Sequence, residues 1–241
     1  MGKGAVSRMT EKRVVFLLPG LLCDAAIWRS QVRMLSGSGD VRVPHFFGYD
    51  SIPAMARAVL SMAPERFSLA GHSMGGRVAI EIVHQAPERV ERLALLDTGV
   101  HAVRPAEAEA RQELVELAFS QGMEALAARW IPPMIAPERA EDATLVEEIT
   151  AMVCRATPLI FTRQIRALLA RPPAMPVLPG IACPVQVIVG RQDGWSPVAQ
   201  HEEIVAAVPG AKISVIEDCG HMAPLEQPKA VGDILAAWLQ S

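Results

Sequence analysis

Short apolar runs separated by helix-like segments are the feature of this sequence that most limits its fold. The runs at residues 14–18, 93–96 and 185–189 are apolar or nearly so, without alternation along the strand. Runs of this kind are typical of parallel strands that helices cover on both faces. The pattern therefore predicts an α/β fold: a mostly parallel sheet of about six strands with helices on both faces.

Residues 41–47 are also predicted to form a strand, in which Pro44 lacks the N–H group that a central strand would donate. We therefore place this strand near an edge of the sheet. Residues 67–70 and 213–216 are the remaining strand predictions, and the amphipathic pattern over residues 52–62 is typical of a helix on the sheet.

The pattern changes in the middle of the chain. Residues 101–171 contain only helix-like segments, which prolines such as Pro105 and Pro158 separate. A helical block between two predicted strands indicates an insertion. We expect an α/β core formed by residues 1–100 and 172–241, and a helical cap formed by residues 101–171.

The charge pattern argues against two classes of function. The 241 residues include 23 Lys and Arg and 26 Asp and Glu, a net charge of −3 without runs of like charge. Nucleic-acid binding requires clustered basic residues, so we expect no nucleic-acid partner. We expect no membrane span either, because no segment approaches the roughly 20 apolar residues that a span requires.

The cysteines indicate a reducing compartment. The four cysteines are far apart and form no C-x-x-C pair, which argues against zinc and redox motifs; they are Cys23, Cys154, Cys183 and Cys219. Isolated cysteines of this kind favour reduced thiols and a cytoplasmic protein. We interpret Cys23 as a small buried group rather than a second nucleophile, because no base is assigned to it.

A secretory signal is the alternative to a cytoplasmic protein. Lys12 and Arg13 precede the apolar run 14–22, which imitates a signal ending in Leu-Leu-Cys. The run is short, contains Pro19, and places a bulky leucine directly before Cys23 where a small residue is expected. We therefore favour the cytoplasmic interpretation.

The sequence Gly71-His72-Ser73-Met74-Gly75 directly follows the predicted strand 67–70 and precedes a predicted helix. In this setting G-x-S-x-G is typical of a sharp strand-to-helix turn that lifts a serine hydroxyl above the sheet. The glycines avoid collisions in the crowded turn. The pattern predicts that Ser73 is a nucleophile.

A serine nucleophile needs a base to accept its proton, and histidine is the usual one. His221 follows the strand 213–216 and so lies at the same edge of the sheet as Ser73, where open α/β sheets hold their sites. His45 and His101 lie in predicted loops and remain alternatives. His72 faces the wrong way beside the nucleophile.

The base needs a carboxylate that orients its ring. Asp193 follows the strand 185–189, and Asp97 occupies a comparable position after the strand 93–96, so both are candidates. Asp218 is too close in sequence to His221 to reach its far nitrogen.

Backbone N–H groups would stabilise the oxyanion of an acyl-transfer reaction, each by roughly 3 kcal/mol. We assign one donor to Met74, which follows the nucleophile, and the other to Leu21 in the loop after the first strand, with Leu22 as an alternative. Candidate pocket residues come from that loop, from the cap and from the loops at the strand ends; they are Leu22, Trp130, Phe161, Trp195 and Met222.

Four motifs together resemble the α/β-hydrolase superfamily, in particular its small bacterial serine hydrolases with a helical cap. LLPG is similar to the family's oxyanion turn, GHSMGG to its nucleophile elbow, GRQDGWSP to its acid loop and DCGHMAPLEQP to its histidine loop. The resemblance implies the chain order Ser73, Asp193, His221 for the catalytic set and gives Asp97 a structural role. Pro19 departs from the histidine usual in the oxyanion turn.

The resemblance implies a carboxylesterase-like serine hydrolase that cleaves an ester, lactone or thioester of a small to medium, partly apolar substrate through an acyl-enzyme. Alternatives on the same machinery are C–C bond hydrolysis, enol-lactone opening and a lyase reaction. A non-catalytic ligand-binding protein is a further alternative, since fold alone does not dictate function. We expect a small ester-like substrate, no metal or organic cofactor, and a monomer or homodimer.

Overall fold

One sheet of six parallel strands organises the computed structural model, which describes residues 13–241. The strands lie in the order β2-β1-β3-β4-β5-β6. Their bounds are β1 (Val14–Leu18), β2 (Asp40–Arg42), β3 (Phe67–His72), β4 (Val90–Leu96), β5 (Val185–Gly190) and β6 (Lys212–Ile216). The predicted α/β fold with about six strands is confirmed, and every neighbouring pair is parallel.

Helices cover both faces of this sheet. All residues of β1, β3 and β5 are buried, and because their side chains alternate between the faces, both faces are covered. The helices are α1 (Arg29–Leu35), α2 (Ile52–Met62), α3 (Met74–Gln85), α4 (Glu107–Trp130), α5 (Ala143–Cys154), α6 (Pro158–Leu169), α7 (Val198–Ala207), α8 (Ala223–Glu226) and α9 (Pro228–Gln240). Helix α1 packs against α9, and α2 packs against α3.

Strand β2 is shorter than predicted. The sequence predicted a strand over residues 41–47, but pairing with β1 ends at Arg42, and β2 lies at the edge of the sheet as expected. Pro44 explains the difference, because it cannot donate a hydrogen bond to a ladder and its ring restricts the backbone of the preceding residue.

The chain between β4 and β5 is helical in the structure. It forms α4, α5, α6 and short 3₁₀ turns, and α4 packs against both other helices. Helix α4 changes direction at Gly122, whose φ of 87° interrupts the helical geometry. We refer to residues 101–171 as the helical insertion.

The apolar run that imitates a signal sequence forms the interior of the sheet. Residues Val14–Leu18 are all buried as β1, which lies between β2 and β3. Lys12 lies outside the described residues. Among the residues that the structure does describe, no helix is both long enough and apolar enough to cross a membrane.

Candidate active site

Ser73 occupies the turn between β3 and α3, with a φ of 53° and a ψ of −116°. A Cβ atom on Gly71 would collide with the backbone of Gly75, and one on Gly75 with the backbone carbonyl of Leu18. Only glycine fits these two positions, so the G-x-S-x-G spacing follows directly from the packing of β1, β3 and α3. A φ in this region costs a non-glycine residue energy, which the surrounding packing must offset.

The structure brings Ser73 and His221 together from opposite ends of the chain. The Oγ atom of Ser73 lies 2.8 Å from Nε2 of His221. On its other side, Nδ1 of His221 lies 2.8 Å from Oδ2 of Asp193. A continuous hydrogen-bonded chain therefore runs from the serine hydroxyl through the imidazole to the carboxylate, in the arrangement that activates a serine nucleophile.

Asp193 is held as a carboxylate by its surroundings. Its Oδ1 atom accepts hydrogen bonds from the backbone N–H groups of Trp195 at 2.8 Å and Ser196 at 2.9 Å. Burial alone would raise the pKa of Asp193, but the neighbouring His221 and these two donors outweigh burial and lower the pKa. The ionised form suits a residue that must stabilise an imidazolium.

Asp97, the other acid candidate, does not contact the imidazole of His221. Its Oδ1 atom accepts a hydrogen bond from the N–H of Gly190 at 3.0 Å, while Oδ2 has no hydrogen-bond partner among the described residues and lies 3.9 Å from Nε2 of His72. Burial, reinforced by the nearby charge of Asp193, raises the pKa of Asp97 well above its usual value. This side chain links the ends of β4 and β5, which suits a structural role.

The loop that carries His221 is fixed by a buried glutamate on α8. The carboxylate of Glu226 accepts hydrogen bonds from the N–H groups of Gly220 and Met222, both at 2.9 Å, and of Ala136 at 2.8 Å. Three donors converging on one carboxylate hold the backbone on both sides of His221 and tie it to the helical insertion.

His72 has a role that the sequence did not reveal. The prediction that it faces away from the nucleophile left it without a function, yet its Nε2 atom lies 2.7 Å from the backbone carbonyl oxygen of His221 and donates to it. Burial, together with the neighbouring His221, lowers the pKa of His72 to about 3. His72 is therefore a neutral ring that supports the backbone of His221.

The two alternative histidines do not contact the Ser73 hydroxyl, although His101 lines the cavity that opens at Ser73. His101 pairs with Glu203, with 3.3 Å between Nε2 and Oε2, and His45 lies in the loop after β2. Neither is hydrogen-bonded to Ser73, whose hydroxyl contacts His221.

The two predicted oxyanion donors lie beside Ser73. Leu21 and Met74 both line the cavity above it, and in the described part of the chain neither N–H group has a protein acceptor. Leu22, the alternative oxyanion donor, is excluded from this role because its N–H already donates to Oε1 of the buried Gln164 at 2.9 Å. This leaves Leu21 and Met74 as the available pair.

A cavity of about 410 Å³ opens at Ser73 between the sheet and the helical insertion. Trp130, Trp195 and Met222 line it, as does Cys23, whose pKa burial raises to about 12. That value makes Cys23 an unreactive thiol at neutral pH.

Two of the predicted pocket residues lie outside the cavity wall. Leu22 and Phe161 are fully buried and do not line the cavity. Their side chains belong to the hydrophobic core, where the hydrogen bond between the backbone of Leu22 and Gln164 joins the first loop to α6.

The cavity also contains charged residues that the sequence analysis missed. Four arginines and one glutamate line its wall: Arg77, Arg104, Arg111, Arg171 and Glu107. Arg77 could have been considered from its position, because it lies in the first turn of the helix that follows Ser73. In the part of the chain described, no cluster of His, Cys, Asp or Glu side chains could hold a metal ion.

A parallel sheet with a hydrogen-bonded serine at a strand-to-helix turn defines the class of α/β hydrolases. The sequence profile of the Alpha/beta hydrolase family matches residues 14–234, and the chain belongs to this family.

Several similar proteins of known sequence or structure are enzymes, two of them esterases. The chain is 26% identical over 240 residues to a pimeloyl-[acyl-carrier protein] methyl ester esterase of Aromatoleum aromaticum, covering 88% of this chain and 92% of that protein. It is 27% identical to a putative 2-succinyl-6-hydroxy-2,4-cyclohexadiene-1-carboxylate synthase of Bacillus subtilis, covering 73% of this chain and 66% of that protein. A solved esterase from Thermogutta terrifontis is 27% identical, with a TM-score of 0.85, covering 95% of this chain and 90% of that chain. The family and these relatives support a hydrolase of the carboxylic ester type.

Proposed function

We propose that this protein hydrolyses a small to medium carboxylic ester through an acyl-enzyme formed on Ser73. The observation that carries the proposal is the hydrogen-bonded chain from Ser73 through His221 to Asp193, in which both contacts are 2.8 Å. A serine hydroxyl without such a base is a poor nucleophile at neutral pH.

In the acylation step, Nε2 of His221 accepts the proton of the Ser73 hydroxyl while Oγ attacks the ester carbonyl carbon. The carbonyl oxygen becomes an oxyanion that accepts hydrogen bonds from the N–H groups of Leu21 and Met74. The imidazolium then donates its proton to the departing alkoxide, so an alcohol leaves and the acyl group remains on Ser73.

In the deacylation step, His221 accepts a proton from water, and the resulting hydroxide attacks the acyl carbon. The same N–H groups stabilise the second oxyanion, and the proton on His221 returns to Oγ as the carboxylic acid leaves. Asp193 binds the Nδ1–H group throughout, which keeps the Nε2 lone pair directed at Ser73 and stabilises the imidazolium.

The helical insertion serves as a cap in this proposal. It contributes Trp130, Met134 and Leu168 to the cavity wall above Ser73. A volume of about 410 Å³ lies in the range of small-molecule sites and suits a small to medium acyl or alcohol group.

The similarity to the putative synthase of Bacillus subtilis favours a second candidate, a lyase reaction in the same cavity. The two candidates differ in whether simple esters turn over, since only ester hydrolysis requires transfer of an acyl group to Ser73.

A panel of p-nitrophenyl esters with acyl chains from acetate to octanoate tests the proposal. We expect turnover by the wild-type protein and a fall in kcat/KM of at least ~10³-fold in Ser73→Ala, because the nucleophile is lost. Ser61→Ala, which alters an exposed serine on α2, is the matched control and should keep wild-type activity. Absence of turnover across the panel, or turnover that Ser73→Ala does not reduce, would contradict ester hydrolysis at this site.

A further inference from the structure

The wall of the cavity carries an excess of positive charge. Four arginines face one glutamate there, although the chain as a whole has a net charge of −3. The charge is concentrated where the helical insertion meets α3 and the end of α6. An anionic group of a substrate would be attracted to this part of the wall.

The single glutamate is already shared by two of the arginines. Glu107 accepts hydrogen bonds from both terminal nitrogens of Arg171, at 2.6 and 2.7 Å, and from Nε of Arg111 at 2.9 Å. Burial would raise the pKa of Glu107, but the hydrogen bond from Arg171 and the charges of both arginines lower it to about 2. Glu107 is therefore ionised at neutral pH, and both of its carboxylate oxygens already accept hydrogen bonds from arginines.

Arg77 is left without a carboxylate of its own. Its Nη2 atom donates to the backbone carbonyl of His101 at 2.9 Å, while Nη1 is buried and has no hydrogen-bond partner among the described residues. Burial and the neighbouring positive charge of Arg171 lower the pKa of Arg77 to about 9, so it remains a cation at neutral pH. A buried guanidinium with unused donors is costly unless an anion accompanies it.

Arg77 lies in the first turn of the helix that directly follows the nucleophile. It comes four residues after Ser73, near the start of α3. Both residues line the cavity. A substrate bonded to Ser73 at one end can therefore reach Arg77 with the other.

We propose that Arg77 binds a carboxylate of the substrate, so that the physiological substrate is a half-ester of a dicarboxylic acid or a similar ester with a free carboxylate. This inference rests on the proposed ester hydrolysis at Ser73. A guanidinium offers two parallel N–H donors to a carboxylate, which gives orientation as well as affinity. Apolar wall residues such as Leu114 and Leu168 contact the chain between the two ends.

Isothermal titration calorimetry on Ser73→Ala tests this binding without turnover, with monomethyl adipate and its neutral counterpart dimethyl adipate as probes. We expect monomethyl adipate to bind about tenfold or more tightly than the diester. Arg77→Gln, introduced together with Ser73→Ala, should abolish this preference. Arg77→Lys keeps the positive charge but lacks the two parallel N–H donors of the guanidinium, and should retain part of the preference. Arg163→Gln, on the exposed side of α6, is the matched control and should leave the preference intact.

Equal affinity for the two probes, binding of neither, or a preference that survives Arg77→Gln would overturn the proposal. If Arg77→Gln does not fold, Arg77→Lys decides in its place, since an undiminished preference there contradicts recognition by the guanidinium fork. Hydrolysis of the same probes by the wild-type protein is measured separately. Loss of turnover with an intact binding preference would refute the ester hydrolase and not the carboxylate site.

Discussion

At the level of single residues, different surroundings shift the pKa values of two carboxyl groups at neighbouring strand ends in opposite directions. Asp193 has a lowered pKa because His221 and two backbone N–H groups stabilise its charge, whereas Asp97 has a raised pKa because burial dominates. The carboxyl group with the lowered pKa is the one that contacts the imidazole. This difference in environment favours Asp193 over Asp97 as the proposed catalytic acid.

The two aspartates should respond differently to removal of charge. Asp193→Asn should lower kcat by roughly 10³ to 10⁴-fold, because the amide no longer holds the required tautomer of His221. Asp97→Asn changes a carboxyl group that does not contact the imidazole, at a φ of 46° that asparagine tolerates, and should retain activity. Steady-state kinetics on p-nitrophenyl esters measures both. A larger loss in Asp97→Asn than in Asp193→Asn would reverse the assignment.

His72 should make the fold sensitive to acid. Its pKa is about 3 in the folded protein, below the usual value of 6.5, so between these values the unfolded chain binds a proton that the folded protein does not. The free energy of unfolding therefore falls as the pH falls, by about 2 kcal/mol between pH 7 and pH 5 for this side chain.

Urea unfolding at the two pH values tests this prediction. In His72→Gln the loss of stability between pH 7 and pH 5 should be smaller than in the wild type by about 2 kcal/mol. His84→Gln, at an exposed position on α3, is the control and should keep the wild-type difference. An unchanged difference in His72→Gln would mean that the ring protonates freely in the folded state.

At the level of secondary-structure elements, α6 holds the loop after β1 in place. Gln164 is fully buried on α6, accepts the N–H of Leu22 at 2.9 Å and donates to the carbonyl of Phe46 at 3.3 Å. Because Leu22 directly follows Leu21, this hydrogen bond fixes the peptide next to the one that carries the proposed oxyanion donor, the N–H of Leu21. Gln164 thus links the helical insertion to this loop, in addition to the hydrogen bond between Ala136 and Glu226.

Gln164→Leu should lower kcat by about tenfold or more with a smaller change in KM, because an oxyanion donor acts mainly in the transition state. It should also destabilise the fold by roughly 1–3 kcal/mol, since two buried backbone groups lose their partner. Gln112→Leu, at an exposed position on α4, provides the control for both measurements. A rise in KM with unchanged kcat would show that Gln164 affects the shape of the pocket and not the position of the oxyanion donor Leu21.

The elements that the sequence predicted best are those with the strongest local signals. Strand β1 has the predicted bounds, and β5 extends one residue beyond them, because uninterrupted apolar runs leave no alternative to a buried strand. Strand β2 was predicted too long, since its ending depends on pairing with β1 and on Pro44. Local pattern predicts that an element exists more reliably than where it ends.

At the level of the whole molecule, the fold rule that brings strand ends together made distant residues predictable. Ser73 and His221 are 148 positions apart, yet both follow strands of one parallel sheet, so their proximity could be inferred. No such rule connects Glu107 with Arg171, 64 positions apart, and the arginine-rich wall was missed. Leu22 and Phe161 were assigned to the pocket because sequence does not separate pocket walls from core.

Labelling with a fluorophosphonate, followed by mass spectrometry of the peptides, tests the central claim most directly. The reagent modifies a serine only when a neighbouring base has activated it. The structure predicts one adduct on the peptide that contains Ser73, no adduct in Ser73→Ala, and strongly slowed labelling in His221→Ala. An adduct that persists in Ser73→Ala, or labelling at the same rate without His221, would contradict the account.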